Sequence, residues 1–139
     1  MADLTFRKLQ CVIVTPESTV LDQAVDFVAL PLYDGELGVL PGRAPLLARL
    51  GYGELRAQSG SVTSRYFIDG GFLQIRGDVV SVLTTRAVSA ERIDSAAASA
   101  ELQKANQQVP TTPEAFEAKF ILIARARGQI TVARRAGKQ

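Results

Sequence analysis

Through residue 84 the apolar positions come in short runs, at Leu9 to Val14, Val25 to Leu30, Val39 to Leu40, Tyr66 to Ile68, Phe72 to Ile75 and Val79 to Thr84. Each run is rich in Val, Ile, Phe, Leu or Thr. Between them fall turn signals: Asp34-Gly35, Gly51-Tyr52-Gly53, Ser59-Gly60-Ser61, Asp69-Gly70-Gly71 and Gly77-Asp78. Many short strands at this spacing predict an antiparallel β-sandwich or barrel.

The pattern changes near residue 85. Alanine takes over at 87, 90, 96, 97, 98, 100 and 105, and helix propensity rises with it. Ser89 is the expected N-cap, with Glu91 in the first turn. This helix should end near Asn106, because residues 107–113 (QQVPTTP) form a linker with two prolines. A second helix then starts on a capping box, Thr111-x-x-Glu114, with Pro113 in its first turn. The fold class is therefore α+β: an N-terminal antiparallel sandwich over residues 1–85 and a helical hairpin over 86–139. The first helix offers Ile93, Ala97 and Ala100, which bury little area; the second mixes Phe116, Phe120 and Ile123 with Lys119 and several arginines. Such a hairpin is marginal by itself and is expected to be the mobile, partner-dependent part.

Composition narrows the chemistry. The chain has 139 residues, 47% of them hydrophobic, which is enough for a buried core. No run approaches the ~18 apolar residues of a membrane span, and the amino terminus lacks a signal-peptide pattern. There is no histidine and a single cysteine, so metal enzymes and Ser-His or Cys-His enzymes are disfavoured, and no internal disulfide can form. Cys11, in a predicted strand, reads as a buried inert thiol. Asp34 and Glu36 read as a turn aspartate and a surface glutamate rather than a catalytic pair.

Charge is uneven. Residues 1–84 hold 7 Lys/Arg against 9 Asp/Glu, whereas residues 114–139 hold 6 against 2. The basic carboxyl end needs an acidic partner. Nucleic acid is disfavoured, because no stacking aromatic or groove-reading set accompanies the basic residues at 119–138.

Residues 34–47, DGELGVLPGRAPLL, pack three glycines and two prolines among apolar residues and carry no nucleophile. They shape a stiff surface that cannot pair as an inner strand. Gly35-Glu36-Leu37-Gly38-Val39-Leu40-Pro41-Gly42, followed by Ala44-Pro45-Leu46-Leu47, resembles the signature of the epsilon subunit of F-type ATP synthases. Thr15-Pro16-Glu17, Gly70-Gly71-Phe72-Leu73, the strand Val79 to Thr84 and the Ala-rich hairpin lie in that family's order, so the likeness covers essentially the whole chain.

The resemblance implies a non-catalytic subunit that couples the central stalk to the c-ring of a proton- or sodium-translocating synthase and restrains ATP hydrolysis through its C-terminal helices. It implies three partners: the gamma subunit, the c-ring and the catalytic beta subunits. It also implies peripheral attachment, through the complex, at the cytoplasmic face of the inner membrane. Glu36, Gly38, Pro41 and Arg43 occupy the c-ring-facing positions, with Arg43 where the family usually has histidine. Arg125, Arg127, Arg134 and Arg135 are the helix residues implied to face the beta subunits. Some relatives bind ATP through I/L-D-x-x-R-A in the first helix. Here Ile93-Asp94-Ser95-Ala96-Ala97-Ala98 puts alanine at the arginine position, and Gln129 stands for a second arginine, leaving Asp94 and Arg125 as a weak remnant and implying no cofactor. The alternative is a free-standing sandwich module whose basic helix docks on an acidic protein.

Overall fold

A computed structural model describes residues 7–137. The first six residues of the expected sandwich domain and the last two of the helical one, Lys138 among them, lie outside the described residues. The strands are β1 (Leu9–Val14), β2 (Thr19–Val25), β3 (Phe27–Leu32), β4 (Gly35–Val39), β5 (Leu46–Ser59), β6 (Val62–Arg76), β7 (Val79–Leu83) and β8 (Ala87–Ser89). A 3-10 turn at Ala90–Arg92 leads to helices α1 (Ser95–Gln107) and α2 (Pro113–Gly137).

The strand order is β2-β1-β7-β6-β5-β3-β4, with β8 pairing the first half of β6. A sandwich with a helical hairpin is thus what forms, with one correction to the antiparallel expectation. β1 runs parallel to β7, Cys11 opposite Val80, because the chain returns to β1's other edge from the far side of the fold. A second correction concerns β2 and β5, which the run pattern passes over. Gly51-Tyr52-Gly53 and Asp69-Gly70-Gly71 are not loops between strands but lie within the 14-residue β5 and the 15-residue β6. There the long hairpin bends, so that β6 pairs β8 through Tyr66–Ile68 and β7 through Phe72–Arg76. Gly71 has φ +113°, and a Cβ on it would sit 2.0 Å from the Leu83 carbonyl oxygen, so this crossing requires glycine.

The core between the folded halves of the sheet is Leu9, Cys11, Ile13, Val25, Val28, Leu30, Leu50, Leu55, Ile68, Leu73, Ile75, Val80 and Val82, all essentially inaccessible. Burial pushes the Cys11 thiol up to about 12, which keeps it protonated and inert, as the strand position predicted.

The sheet continues past residue 85 to Ser89 through β8. Ser89 precedes the 3-10 turn and makes no side-chain cap there. Asp94 caps α1 instead: its Oδ1 accepts from the Ala97 N–H at 3.1 Å. The cap of α2 is Thr112 rather than Thr111, its Oγ1 accepting from the Ala115 N–H at 3.1 Å. α1 buries Ala98 and Ala105, whereas Ala97 and Ala100, expected on its apolar face, are exposed, and Ile93 precedes the helix. Phe116 and Phe120, expected on the apolar face of α2, are more than half exposed near the hairpin tip.

Candidate functional site

The candidate site lies where α2 rests on the sandwich. Phe67 on β6 is fully buried under Val132 of α2 and Ala90 of the 3-10 turn, with Tyr52, Ile93 and Ala136 around them. Gly128 allows the close approach. A Cβ there would stand 2.9 Å from both the Tyr52 carbonyl oxygen and the Phe67 ring.

Two ion pairs flank this contact. Arg125 Nε donates to Asp69 Oδ1 at 2.9 Å, and the Asp69 side chain is 7% exposed. The Arg125 guanidinium also stands 6.0 Å from the Tyr52 ring centre, in cation–π range. Arg135 Nη1 donates to Glu54 Oε1 at 3.0 Å. Glu54 is 4% exposed at its side chain and is served from three elements, with Arg65 of β6 on Oε2 at 2.8 Å and Arg56 of β5 on Oε1 at 3.3 Å. A buried carboxylate persists only with such partners.

Burial opposes ionisation of Glu54, but the hydrogen bonds from Arg65 and Arg135, with Arg56 beside them, outweigh it and hold the carboxyl below its ordinary 4.5. The sign follows. A carboxyl depressed in the folded state contributes stability that is complete above the unfolded value and is lost as pH falls through the folded one. The contribution therefore begins to fall below the ordinary 4.5, and α2 is expected to lose its Arg135 anchor as pH passes through the lower folded value. Opening across residues 128–137, read as amide exchange divided by the intrinsic rate at each pH, should rise on acidification in the wild type, with a smaller rise in Glu54→Gln. Equal rises would remove Glu54 from the anchor.

The positions expected to face the c-ring fall in two places. Glu36 lies on the edge strand β4, is exposed, and approaches Arg56 Nη1 at 3.5 Å; it lines a groove with Tyr52, Glu54, Arg127 and Arg135. Gly38 is exposed on the same strand, with the Phe27 ring about 3.1 Å from where a Cβ would stand. Pro41 and Arg43 belong to the following turn, at the end of the sandwich. Asp78, itself at φ +64°, ties that turn down, accepting from the Gly42 N–H at 2.8 Å and pairing with Arg7. The Gly42 N–H and Arg7 hold the Asp78 carboxyl below its usual range. Arg43 is exposed there.

On α2, Arg125 and Arg135 are engaged with the sandwich, whereas Arg127 and Arg134 are exposed and make no ion pair among the described residues. Asp94 and Arg125 are not brought to one ligand, since Asp94 caps a helix and Arg125 is held by Asp69. A crevice of about 300 Å³ between the helices is lined by Arg86, Ala97, Glu101, Leu122, Arg125 and Gln129, two arginines and one glutamate. Among the described residues no cluster of acids and cysteine could hold a metal ion, and no helix is long and apolar enough to cross a membrane.

The sequence reading missed Glu54, Asp69, Tyr52 and Gly128. One of them carried a signal: a lone glycine inside a long helix calls for a packing reason.

Comparison with known proteins matches residues 8–90 to the family described as "ATP synthase, Delta/Epsilon chain, beta-sandwich domain". The chain is 51% identical over 126 residues to the ATP synthase epsilon chain of Rhodopirellula baltica, covering 91% of this chain and 98% of that one. It is 41% identical over 97 residues to the ATP synthase epsilon chain of Desulforamulus reducens, covering 70% and 74%. Its fold is similar to a chain in the cryo-EM structure of the Euglena gracilis mitochondrial ATP synthase, OSCP/F1/c-ring, with a TM-score of 0.77, 23% identity, and coverage of 95% and 82%. Sandwich, hairpin and sequence agree over nearly the whole length, and the chain belongs to the ATP synthase epsilon chain family.

Proposed function

We propose that this epsilon chain couples the central stalk of its synthase to the c-ring through the sandwich and restrains ATP hydrolysis when its helices leave the sandwich. The observation that carries the reading is the α2 contact itself. It rests on one small apolar cluster and two ion pairs, so it can open at a modest free-energy cost. A docked hairpin leaves rotation free, and an extended one offers Arg127 and Arg134, joined by the released Arg125 and Arg135, to an acidic surface of the catalytic beta subunits.

The sandwich offers the gamma subunit an apolar outer face. Leu47, Phe72 and Leu83 are more than half exposed on neighbouring strands, and Phe72 and Leu83 line an apolar groove with Pro16. Glu36 and the Pro41–Arg43 turn are the ring-facing elements. Arg43 in the histidine position removes any pH response that a histidine would bring. ATP leaves the helices docked, because Ala97, Glu101 and Gln129 replace what a triphosphate would need. The complex lies at the cytoplasmic face of the inner membrane, with this subunit peripheral. The alternative of a free-standing module is not favoured by the family assignment.

Co-purification tests the reading. The full chain and a chain ended after Ile93, which retains β8 and the 3-10 turn, are both expected to bring down gamma with the catalytic hexamer. Glu36→Ala is expected to bind equally and to lower ATP synthesis in reconstituted membranes, with the melting temperature of the isolated chain little changed. Failure of the full chain to bind gamma would reject the rotor role. Unchanged synthesis with Glu36→Ala would reject the ring contact.

A further inference from the structure

We propose that Arg56 is a shared cation through which contact at Glu36 controls how firmly α2 docks. Glu36 and Glu54 compete for one guanidinium nitrogen: Arg56 Nη1 lies 3.5 Å from Glu36 Oε2 and 3.3 Å from Glu54 Oε1. Glu54 Oε1 is also the oxygen that receives Arg135 of α2, while Oε2 is taken by Arg65. Three guanidiniums therefore surround two carboxylates. β5 places Glu54 and Arg56 on one face, two residues apart, and its register sets Arg65 directly opposite Arg56.

The balance shifts when Glu36 is taken by a cation from outside. Arg56 then has Glu54 alone, and three arginines crowd one buried carboxylate whose oxygens are already occupied. Arg65 is the more buried and closer partner, 26% exposed at its side chain and 2.8 Å from Glu54 Oε2, on a strand fixed in the sheet. Arg135 is 51% exposed at its side chain and sits on the element that can move, so it is the partner displaced. Engagement of Glu36 thus loosens the carboxyl half of α2 and favours the extended hairpin. The physiological meaning rests on the reading that Glu36 meets a basic loop of the ring; the internal coupling does not.

The test is a double-mutant cycle on the isolated full chain, read by amide exchange over residues 128–137. Glu36→Gln stands in for a neutralised Glu36 and is expected to raise opening there about two- to fivefold, the size appropriate to half-exposed ion pairs. In an Arg56→Met background the same change is expected to do nothing. Exchange at Val80 and Val82 reports the sheet core; should Arg56→Met raise it, Arg56→Gln takes its place. No effect of Glu36→Gln, a gain of protection, or an equal effect with and without Arg56 would each overturn the coupling. Because no ring is present, such a failure leaves the ring contact standing, whereas that contact falls with the synthesis assay of Glu36→Ala.

Discussion

Gly128→Ala is expected to release α2 from the sandwich while both remain folded. The added methyl would stand 2.9 Å from the Tyr52 carbonyl oxygen, and a backbone oxygen inside a paired strand cannot step aside as a flexible side chain could. Overpacking of this kind costs about 1–3 kcal/mol, roughly tenfold in population for each 1.4 kcal/mol. The helix itself does not suffer, since alanine is favoured over glycine in a helix interior by about 1 kcal/mol. Docking and helicity therefore part company in this variant. Circular dichroism should show helix content equal to or above wild type, while trypsin cleaves at Arg125, Arg127, Arg134 and Arg135 faster. Unchanged cleavage would mean that the contact yields without opening.

Gly71→Ala is expected to have the largest effect on the fold. Its Cβ would overlap the Leu83 carbonyl oxygen at 2.0 Å and crowd the Thr84 Cα at 2.9 Å, and φ of +113° is closed to alanine in any case. The crossing of β6 over the end of β7 must then open. A destabilisation of about 4 kcal/mol or more follows, enough to lower Tm by more than about 10 °C or to leave the chain insoluble. A Tm within about 3 °C of wild type would contradict the described crossing.

The same glycines explain what the sequence made legible. The short apolar runs and the alanine-rich end give a sandwich followed by a helical hairpin, because strand and helix leave different periods. The long β5 and β6 were hidden because Gly51, Gly70 and Gly71 read locally as chain reversals, and only the approach of Leu32 and Leu83 from elsewhere in the sheet makes them strand residues. Pairing between β1 and β7 was hidden for a related reason, as no local signal fixes which strands meet across 69 residues. On α2 the basic residues were visible as a group, but sequence could not divide them. The acids that divide them, Asp69 and Glu54, stand 56 and 81 residues away from Arg125 and Arg135. Glu36 and Pro41 were legible as one stiff segment, yet the turn after β4 is tied to Asp78 through the Gly42 N–H while Glu36 faces Arg56.

The central claim is that hydrolysis is governed by whether α2 is docked. ATP hydrolysis by the catalytic hexamer with gamma should be measured with the wild-type chain, with Gly128→Ala and with a chain ended after Ile93. Hydrolysis is expected to be slowest with Gly128→Ala, intermediate with wild type and fastest with the shortened chain. The differences should narrow as salt screens the arginines. Equal rates for all three at every salt concentration would contradict the claim.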